Sequence, residues 1–510
     1  MKIKILVFVF AFCSINIIGQ IQLTSKQQEA YNQIPQEKIY VHFNTNFLIT
    51  GDKLNFKVYC LNYNTNQLSN LSKVAYVEIV DSNKNTVLQQ KILLENGVGY
   101  GDLFIDSRIA SGNYKIISYT RWMLNKNIYF ADDISIYNAF SKPPRFKKES
   151  TEKTPVSFQS IGDFSKREKV SIPISDLNIN GNYSVSVHKV TEGNTYSKTN
   201  FPSFLTQKNT LSNKNSQYFS IPEFRGELIH GKITSKDKSS VDNLKISLSV
   251  TEFNGISRIV STNNEGYFFF NLTKRIDKRN MFFNILNKSN NDYTIEVLEN
   301  NKLDLSALEF KELQTTETIR NIVKQRSIYL QIENAFNSLK QDSIFAPAIN
   351  MTYWQNIAKV YHLDDYKRFN TMKETFVEII QDSWITEDNG TFMFHVQDEN
   401  LNTNNLLKPL VIINGYILSN HNLLNELHPK KVKSIFIDRK KHVFNSIIYQ
   451  GVIYVDTFDQ EFTPYDAIQL NISNLAPQKK HYSPNYEVDT STRIPDFRTQ
   501  LYWNPTVEAS

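Results

Sequence analysis

Cysteine is nearly absent from this chain, since its 510 residues include only Cys13 and Cys60. Cys13 lies in an N-terminal stretch in which two lysines precede the apolar residues 5–12, and Gly19 provides a small residue for cleavage. This is the pattern of a secretory signal peptide. A lipid anchor on Cys13 is the alternative, but Phe12 is bulkier than such sites use. Cleavage near Gly19 leaves Cys60 alone, which excludes an intrachain disulfide framework and a cysteine-based zinc site.

Long apolar runs and a strong charge are missing as well. After residue 20 no run approaches the roughly 20 apolar residues that a membrane-spanning helix needs. The formal net charge is +6, and two of these positive charges belong to the signal-like segment. The remainder is too small for the basic surface of a nucleic-acid-binding protein. We therefore predict an exported protein with no transmembrane helix and no nucleic-acid partner.

Motifs for catalysis are also missing. No G-x-S-x-G elbow occurs, and the nine histidines, among them His421, His428 and His442, lack the paired spacing of zinc hydrolases. The adjacent acids at 132–133 point to opposite faces if they lie on a strand, and those at 364–365 precede a helix start. The sequence therefore predicts no enzyme, no cofactor and no metal site. One alternative stays open, an enzyme such as a surface glycan hydrolase whose carboxylates come together only in the fold.

Aromatic residues and alternating patterns are plentiful and favour strands. The chain contains 34 Phe and 26 Tyr, and apolar and polar residues alternate in short runs between 37 and 137. Six or seven strands at intervals near ten residues are typical of a β-sandwich, and a second set of runs follows between 170 and 304. We predict a mainly β fold, with tandem β-sandwich domains followed by an α+β domain. The predicted strands of the first set are 37–43, 53–61, 73–81, 99–105, 113–120 and 132–137.

The C-terminal third combines helical and strand patterns. Ile322, Tyr329 and Phe336 are seven residues apart, which predicts one face of an amphipathic helix. The T-x-x-E sequence at 371–374 is a capping box and predicts a helix start. Asn414–Gly415 lies between two apolar runs and predicts a two-residue hairpin turn.

These patterns divide the chain into seven predicted parts: a signal peptide 1–19; a first β-sandwich 24–140; a proline-containing linker 141–169; a second sandwich region 170–304; a helical connector 305–345; an α+β domain 346–465; and a C-terminal tail 466–510, extended or laid as a strand along another domain.

Three segments resemble parts of multidomain proteins of Gram-negative outer membranes. Residues 37–125, from "EKIYVHF" to "RWMLN", resemble the second macroglobulin-like domain of bacterial alpha-2-macroglobulin relatives. Residues 225–272 resemble a carboxypeptidase regulatory-like sandwich, and residues 363–458 resemble a TonB-dependent receptor plug, here without a barrel. The resemblance implies a macroglobulin-like domain at 24–140, a regulatory-like domain at about 222–300 and a plug-like domain at 346–465. An element similar to "STRIPDFRTQLYWNP" of this chain recurs after the plug-like part in such proteins. Cys60 lacks the sequence context of a macroglobulin thioester, which predicts a buried strand thiol.

The resemblance implies a non-enzymatic protein of the cell envelope, periplasmic or associated with the outer membrane. Its expected role is a binding or scaffolding partner of an outer-membrane barrel protein, transporter or envelope complex. We expect exposed, partner-binding aromatic residues at Tyr416, Phe497 and Trp503. The alternative is a macroglobulin-derived protease inhibitor or defence module without a thioester, with the linker 141–169 as its cleavable segment.

Overall fold

The computed structural model describes residues 25–141, 164–165, 167–171, 181–189, 198–207, 219–250, 257–273, 281–286, 288, 290–299, 302–345, 358–399, 407–459, 462–465, 467–469, 472–487 and 493–507. Strands make up 43% of these residues and helices 15%, which confirms the predicted mainly β fold with several sheets. Within these residues no helix combines the length and the apolarity needed to cross a membrane. The predicted signal peptide and most of the predicted linker lie outside the described residues.

Two packed sheets form the first unit, between residues 37 and 137. One contains β1, β3 and β6, and the other has the order β2-β8-β7-β4-β5. The alternating pattern buries one face of each sheet, and Cys60 is buried in that core as predicted. Each predicted strand corresponds to an observed strand, and both of its bounds lie within two residues of the observed bounds. The elements are α1 Ser25–Asn32, β1 Glu37–Phe43, β2 Phe47–Ile49, β3 Lys53–Asn62, β4 Val74–Val80, β5 Thr86–Leu93, β6 Val98–Phe104, β7 Gly112–Tyr119, α2 Arg121–Leu124 and β8 Phe130–Tyr137.

A second pair of sheets lies between residues 227 and 297. Phe268, Phe270 and Phe283 fill its core with rings about 5 to 6 Å apart. One sheet has the order β13-β10-β15, and the other contains β12, β11 and β14. The elements of this region are β9 Tyr183–His188, α3 Phe201–Thr206, β10 Glu227–Ser235, β11 Lys245–Val250, β12 Ser257–Ser261, β13 Tyr267–Leu272, β14 Met281–Ile285 and β15 Tyr293–Val297.

The predicted amphipathic helix is α4, Glu317–Ala335, which is followed by the short strand β16, Ser343–Ile344. Thr316 caps the helix by accepting a hydrogen bond from the Ile319 amide. The buried face contains Ile319 and Arg326, and it packs on the first unit. The predicted face is therefore only partly correct, because Arg326 occupies its buried centre and Phe336 lies beyond the helix end.

A third unit follows, with a five-stranded sheet of order β17-β22-β23-β20-β21 and a separate β18–β19 hairpin. The capping box is confirmed, because Thr371 and Glu374 exchange hydrogen bonds at the start of α5. The hairpin turn is confirmed as well, because Asn414 and Gly415 have φ values of 46° and 88° between β20 and β21. The elements are β17 Lys359–His362, α5 Met372–Glu378, β18 Ser383–Asp388, β19 Thr391–Val396, β20 Leu410–Ile413, β21 Tyr416–Ile417, α6 Asn422–Glu426, β22 Val432–Phe444 and β23 Ile447–Thr457.

The described residues of 467–507 (467–469, 472–487 and 493–507), here called the C-terminal strap, contact the preceding units in turn. The strap contains β24 Ile468–Gln469, β25 Lys479–Lys480 and β26 Gln500–Val507. β24 extends the second unit by pairing with β14, and the Ala476 amide donates to the Lys91 carbonyl oxygen on β5 at 2.8 Å. β25 pairs with β16, and β26 pairs with β9. Of the two predicted forms of the tail, the strand laid along another part of the chain is the one observed.

The pairing of β9 with β26 corrects the prediction that β9 belongs to the second sandwich region. The two strands lie against the outer face of the β1–β3–β6 sheet. Lys57 on β3 is completely buried and donates to the Tyr183 carbonyl oxygen at 2.9 Å. The His42 and Trp503 rings are 5.4 Å apart. Since strand pairing over three hundred residues leaves no local pattern, alternation alone could not assign β9 to its sheet.

Candidate binding cleft

A cleft of about 220 Å³ lies where α4, the turn from β2 to β3 and the C-terminal strap meet. The helix contributes Arg326 and Glu333, and the strap contributes residues 481–482 and 498–503. The end of β9, residues 188–189, completes this side of the lining. The cleft therefore exists only when segments from distant parts of the chain are assembled.

Asp52 and Arg326 form a buried ion pair in the cleft lining. Arg326 Nη2 lies 2.6 Å from Asp52 Oδ2, and the same carboxylate oxygen accepts the Ile49 amide at 2.8 Å. Arg326 Nη1 also donates to the Phe47 carbonyl oxygen at 3.3 Å. Burial raises the pKa of Asp52 above its usual value, although Arg326 opposes the shift. Removing one partner of such a pair costs about 3–5 kcal/mol, so this pair fixes α4 on the first unit.

Asp342 connects the strap to β3. Its Oδ2 lies 3.0 Å from Lys53 Nζ and 3.5 Å from Lys479 Nζ, and its Oδ1 accepts the Tyr482 amide at 3.0 Å. His481 Nδ1 is 3.8 Å from the same carboxylate. Burial alone raises the pKa of Asp342, but the Tyr482 amide and Lys53 outweigh it, and the pKa is lowered. Asp342 is therefore held as an anion between two cations.

Glu333 attaches the strap to α4. Lys340 Nζ lies 2.6 Å from Glu333 Oε2, and the Phe497 amide donates to Glu333 Oε1. The Phe497 ring stacks on Tyr329 with centroids 4.6 Å apart. A charge pair and an aromatic stack thus position the chain just before β26.

Some polar atoms of the cleft lining are buried without a hydrogen-bond partner among the described residues. They are Arg326 Nε, Trp503 Nε1, His481 Nε2 and Asn55 Oδ1. Burial lowers the pKa of His481, although Asp342 opposes the shift, so the ring is neutral at pH 7. Buried polar groups usually find partners, so these four atoms mark a place where the packing between the strap, β3 and α4 leaves hydrogen bonds unmade.

Of the three aromatic residues predicted to bind a partner, two lie close to the cleft. Trp503 lines the cleft, but its side chain is only 6% exposed. Phe497 is half-buried and packs against α4. Tyr416 does not belong to the cleft. It is fully buried, with its ring 6.1 Å from Phe282 and perpendicular to it. The expected exposure of Tyr416 and Trp503 is therefore wrong, because the hairpin and β26 turn these rings against neighbouring sheets. Their contact with a partner stays a prediction.

The three histidines named from the sequence have separate local roles. His421 Nδ1 accepts the Phe394 amide at 3.2 Å, and His428 Nδ1 accepts the Lys430 amide at 3.1 Å. His442 Nε2 lies 2.7 Å from Asp438. Across the described residues no three metal-ligating side chains come together.

Asp132 and Asp133 point to opposite faces of β8, as predicted. Asp132 accepts the Thr199 amide at 2.7 Å, whereas Asp133 lies 2.6 Å from Lys115 and 2.8 Å from Lys311. Burial raises the pKa of Asp132. Burial also acts on Asp133, but the two lysines outweigh it and lower the pKa. The pair therefore does not share a proton.

Sequence reasoning missed the charged residues that build the cleft. Asp52 and Arg326 are 274 positions apart, and no motif relates them. Arg326 did carry a signal, since it lies seven residues after Ile319 and four after Ile322, on the apolar face of the helix. A lone cation on such a face indicates a buried partner.

Comparisons with known proteins give only distant likenesses. No protein-family model matches the chain, and no curated protein matches it. Among solved structures, an Escherichia coli alpha-2-macroglobulin activated by porcine elastase is 10% identical, with a TM-score of 0.18, over 52% of this chain and 20% of that chain. A Listeria innocua beta-glucosidase in complex with glucose is 13% identical, with a TM-score of 0.15, over 20% of this chain and 16% of that one. A tetra-tandem repeat from a large adhesion protein is 9% identical, with a TM-score of 0.14, over 52% of this chain and 50% of that one.

This chain thus spans a fifth or less of the length of the bacterial macroglobulin structures it is compared with. TM-scores this low carry no argument about function. The plug-like and regulatory-like resemblances stay predictions, and function has to be argued from the chain itself.

Proposed function

We propose that this chain is a non-enzymatic binding protein of the cell envelope, which acts as a scaffolding partner of an outer-membrane complex or transporter. The observation that carries the proposal is the path of the C-terminal strap. The strap pairs with β14, contacts β5, pairs with β16 and ends on β9. It thereby connects both sandwich units and the helix, as a scaffold that presents a fixed binding surface requires.

The charges along the strap support the same role. Lys479 forms ion pairs with Asp102 on β6 and with Asp342. Lys340 bonds both Glu333 and the Pro495 carbonyl oxygen. These groups join segments and are already neutralised by one another, which suits a structural role better than proton transfer.

Affinity purification after crosslinking in intact cells tests this function. The full chain, tagged and expressed in a Gram-negative host that normally makes it, is crosslinked and purified from detergent-solubilised membranes. An unrelated exported protein with the same tag is the matched control. We expect an outer-membrane barrel protein or envelope complex to copurify with this chain and not with the control. Recovery of the chain only in the soluble fraction, with no envelope partner, would contradict the proposal.

A further inference from the structure

A histidine and a lysine lie side by side beneath the two-stranded layer formed by β9 and β26. His42 on β1 is the register partner of Lys57 on β3, so both side chains point to the outer face of the β1–β3–β6 sheet. Lys57 is completely buried and His42 is half-buried. Two groups that can each carry a positive charge are therefore held together where water has little access.

The layer gives both groups neutral partners. On β9 the Ser184 hydroxyl lies 2.6 Å from His42 Nδ1, and the Tyr183 carbonyl oxygen accepts from Lys57 Nζ at 2.9 Å. On β26 the Trp503 ring lies 5.4 Å from the His42 ring. The sequences of β9 and β26 contain no Asp or Glu. The layer therefore brings no counter-ion, and a second charge beneath it is costly.

The surrounding elements add more positive than negative charge. Lys198 Nζ donates to the Phe43 carbonyl oxygen at 2.9 Å. Burial lowers the pKa of Lys198, although Asp132 opposes the shift. The titratable side chains that these elements bring to the same face are Lys38 and Tyr40 on β1, Lys53 and Tyr59 on β3, Tyr100 and Asp102 on β6, Asp132 on β8, His188 on β9, and Lys198. Among these groups the lysines outnumber the carboxylates, so their field opposes a further positive charge on His42.

His42 consequently resists protonation while the layer covers it. Burial lowers its pKa from 6.5 to about 4, and Lys198 and Lys57 add to the shift. Burial also lowers the pKa of Lys57, from 10.5 to about 8, so Lys57 is already a cation at pH 7. A His42 ring exposed to water would regain its ordinary pKa. Between pH 6.5 and 4 the uncovered state therefore binds a proton that the covered state does not, and covering weakens as the pH falls through this window.

We propose that the His42–Lys57 pair is an acid-sensitive switch, which keeps the β9–β26 layer on the first unit near neutral pH and releases it in mild acid. Release uncovers the outer face of the β1–β3–β6 sheet. It also withdraws residues 188–189 and 498–503 from the lining of the cleft. This regulation goes beyond the proposed scaffolding role and does not depend on it.

A thiol placed under the layer measures its release. Ser186 lies opposite Trp503 in the β9–β26 pairing and shares its side of the layer, so Ser186→Cys puts a thiol against the sheet. The purified full chain with this substitution is treated with 4,4′-dithiodipyridine at pH 7.5 and at pH 5.0. Val443→Cys, at a side chain that is 67% exposed, gives the reaction rate of an open thiol at each pH. Mass spectrometry of the non-reduced peptides reads each site, and the buried Cys60 reports whether the first unit itself unfolds.

Relative to the open thiol, we expect the Ser186→Cys thiol to react roughly 30-fold faster at pH 5.0 than at pH 7.5, as a pKa shift from 6.5 to about 4 requires. Cys60 should stay unmodified at both pH values. The local readout is needed because Glu223, whose pKa is raised to about 7, changes global stability in the opposite direction over this range. No acceleration at pH 5.0, or modification of Cys60 in parallel with the introduced thiol, would overturn the inference.

Substitutions at position 42 connect the release to the histidine. In the Ser186→Cys background, His42→Gln retains a polar group for Ser184 but gains no proton in this range, so the relative rates at the two pH values should be equal. His42→Arg carries a permanent cation and should release the layer already at pH 7.5. An acceleration in His42→Gln as large as in its parent, or a protected thiol in His42→Arg at pH 7.5, would contradict the switch.

His362 provides the matched control, because its Nδ1 also lies close to a serine hydroxyl, 2.9 Å from Ser434 Oγ in the third unit. His362→Gln and His362→Arg should both show the same pH ratio as the Ser186→Cys parent. Circular dichroism checks the fold of every variant. If His42→Gln does not fold, the parent ratio and the rate in His42→Arg, read with Cys60 protected, decide the question.

Discussion

Glu223 is a buried residue whose protonation should affect folding. It is completely buried at the junction between the first and second units, where it accepts the Leu228 amide at 2.9 Å and the Tyr76 hydroxyl at 3.1 Å. Burial raises its pKa to about 7, although Arg121 opposes the shift. A carboxyl with this pKa is largely protonated in the folded protein at pH 5.

The stability of the chain should therefore fall with rising pH in this range. The folded pKa lies above the unfolded value of 4.5, so Glu223 contributes stability below pH 4.5 that is lost as the pH rises through 7. The loss is on the order of 3 kcal/mol at 1.4 kcal/mol for each pH unit. Glu223→Gln cannot ionise and should show a flatter dependence. Urea unfolding of both proteins at pH 5.0 and 7.5 measures the difference.

The exposed Glu265 provides the matched control, since Glu265→Gln should follow the unchanged chain at both pH values. Parallel pH dependences of the unchanged chain and Glu223→Gln would show that Glu223 is ionised throughout.

At the residue scale, local roles could be predicted and long-range partners could not. The burial of Cys60 followed from its place on an apolar strand. The opposite directions of the Asp132 and Asp133 side chains followed because successive side chains of a strand point to opposite faces of the sheet. Tyr416 was wrongly expected to be exposed, because an apolar run does not reveal that Phe282 from another unit packs against it. The partner of Asp52 could not be predicted, since α4 brings Arg326 to it only in the fold.

Among the elements, α5 offers the most direct test of a sequence signal. The Thr371 hydroxyl accepts the Glu374 amide at 3.1 Å, and the Glu374 carboxylate accepts the Thr371 amide at 3.2 Å. Thr371→Ala removes the first bond and should lower the free energy of unfolding by about 1 kcal/mol. Urea unfolding measures the loss, and Thr391→Ala at an exposed strand start serves as the control. Equal stabilities of the two variants would mean that the cap contributes nothing.

Elements with a local period were predictable to within a few residues, whereas their pairings were not. The strands of the first unit and the hairpin at Asn414–Gly415 depend on neighbours in sequence. No local sequence pattern indicates that β9 pairs with β26. β24 and β25 have only two residues each, which is too short for an alternating pattern. The candidate cleft depends on the pairings that the strap makes with distant segments. Trp503 is therefore the one lining residue that was predicted from the sequence as a binding residue.

For the whole molecule, the strap adds strand pairings to units that also contact one another directly. Its two-residue pairings are weak alone, but each one holds the next segment close to its partner sheet and so reduces the entropy lost in the following contact. β26 completes the path by covering the sheet that contains the buried Lys57. Both the scaffold and the cleft depend on this final pairing.

A designed disulfide between β9 and β26 tests that pairing most directly. Asn504 lies opposite Val185, so cysteines at both positions fall within the range in which a disulfide can form. His188→Cys with Asn504→Cys is the matched control, because His188 pairs with Gln500 instead and the two introduced thiols would be about 10 Å apart along the strand. We predict that mild oxidation crosslinks Val185→Cys/Asn504→Cys rapidly and leaves the control reduced, as read by mass spectrometry of the non-reduced peptides. No crosslink in the first variant, or equal crosslinking in both, would contradict the pairing of β9 with β26 and the scaffolding role proposed from it.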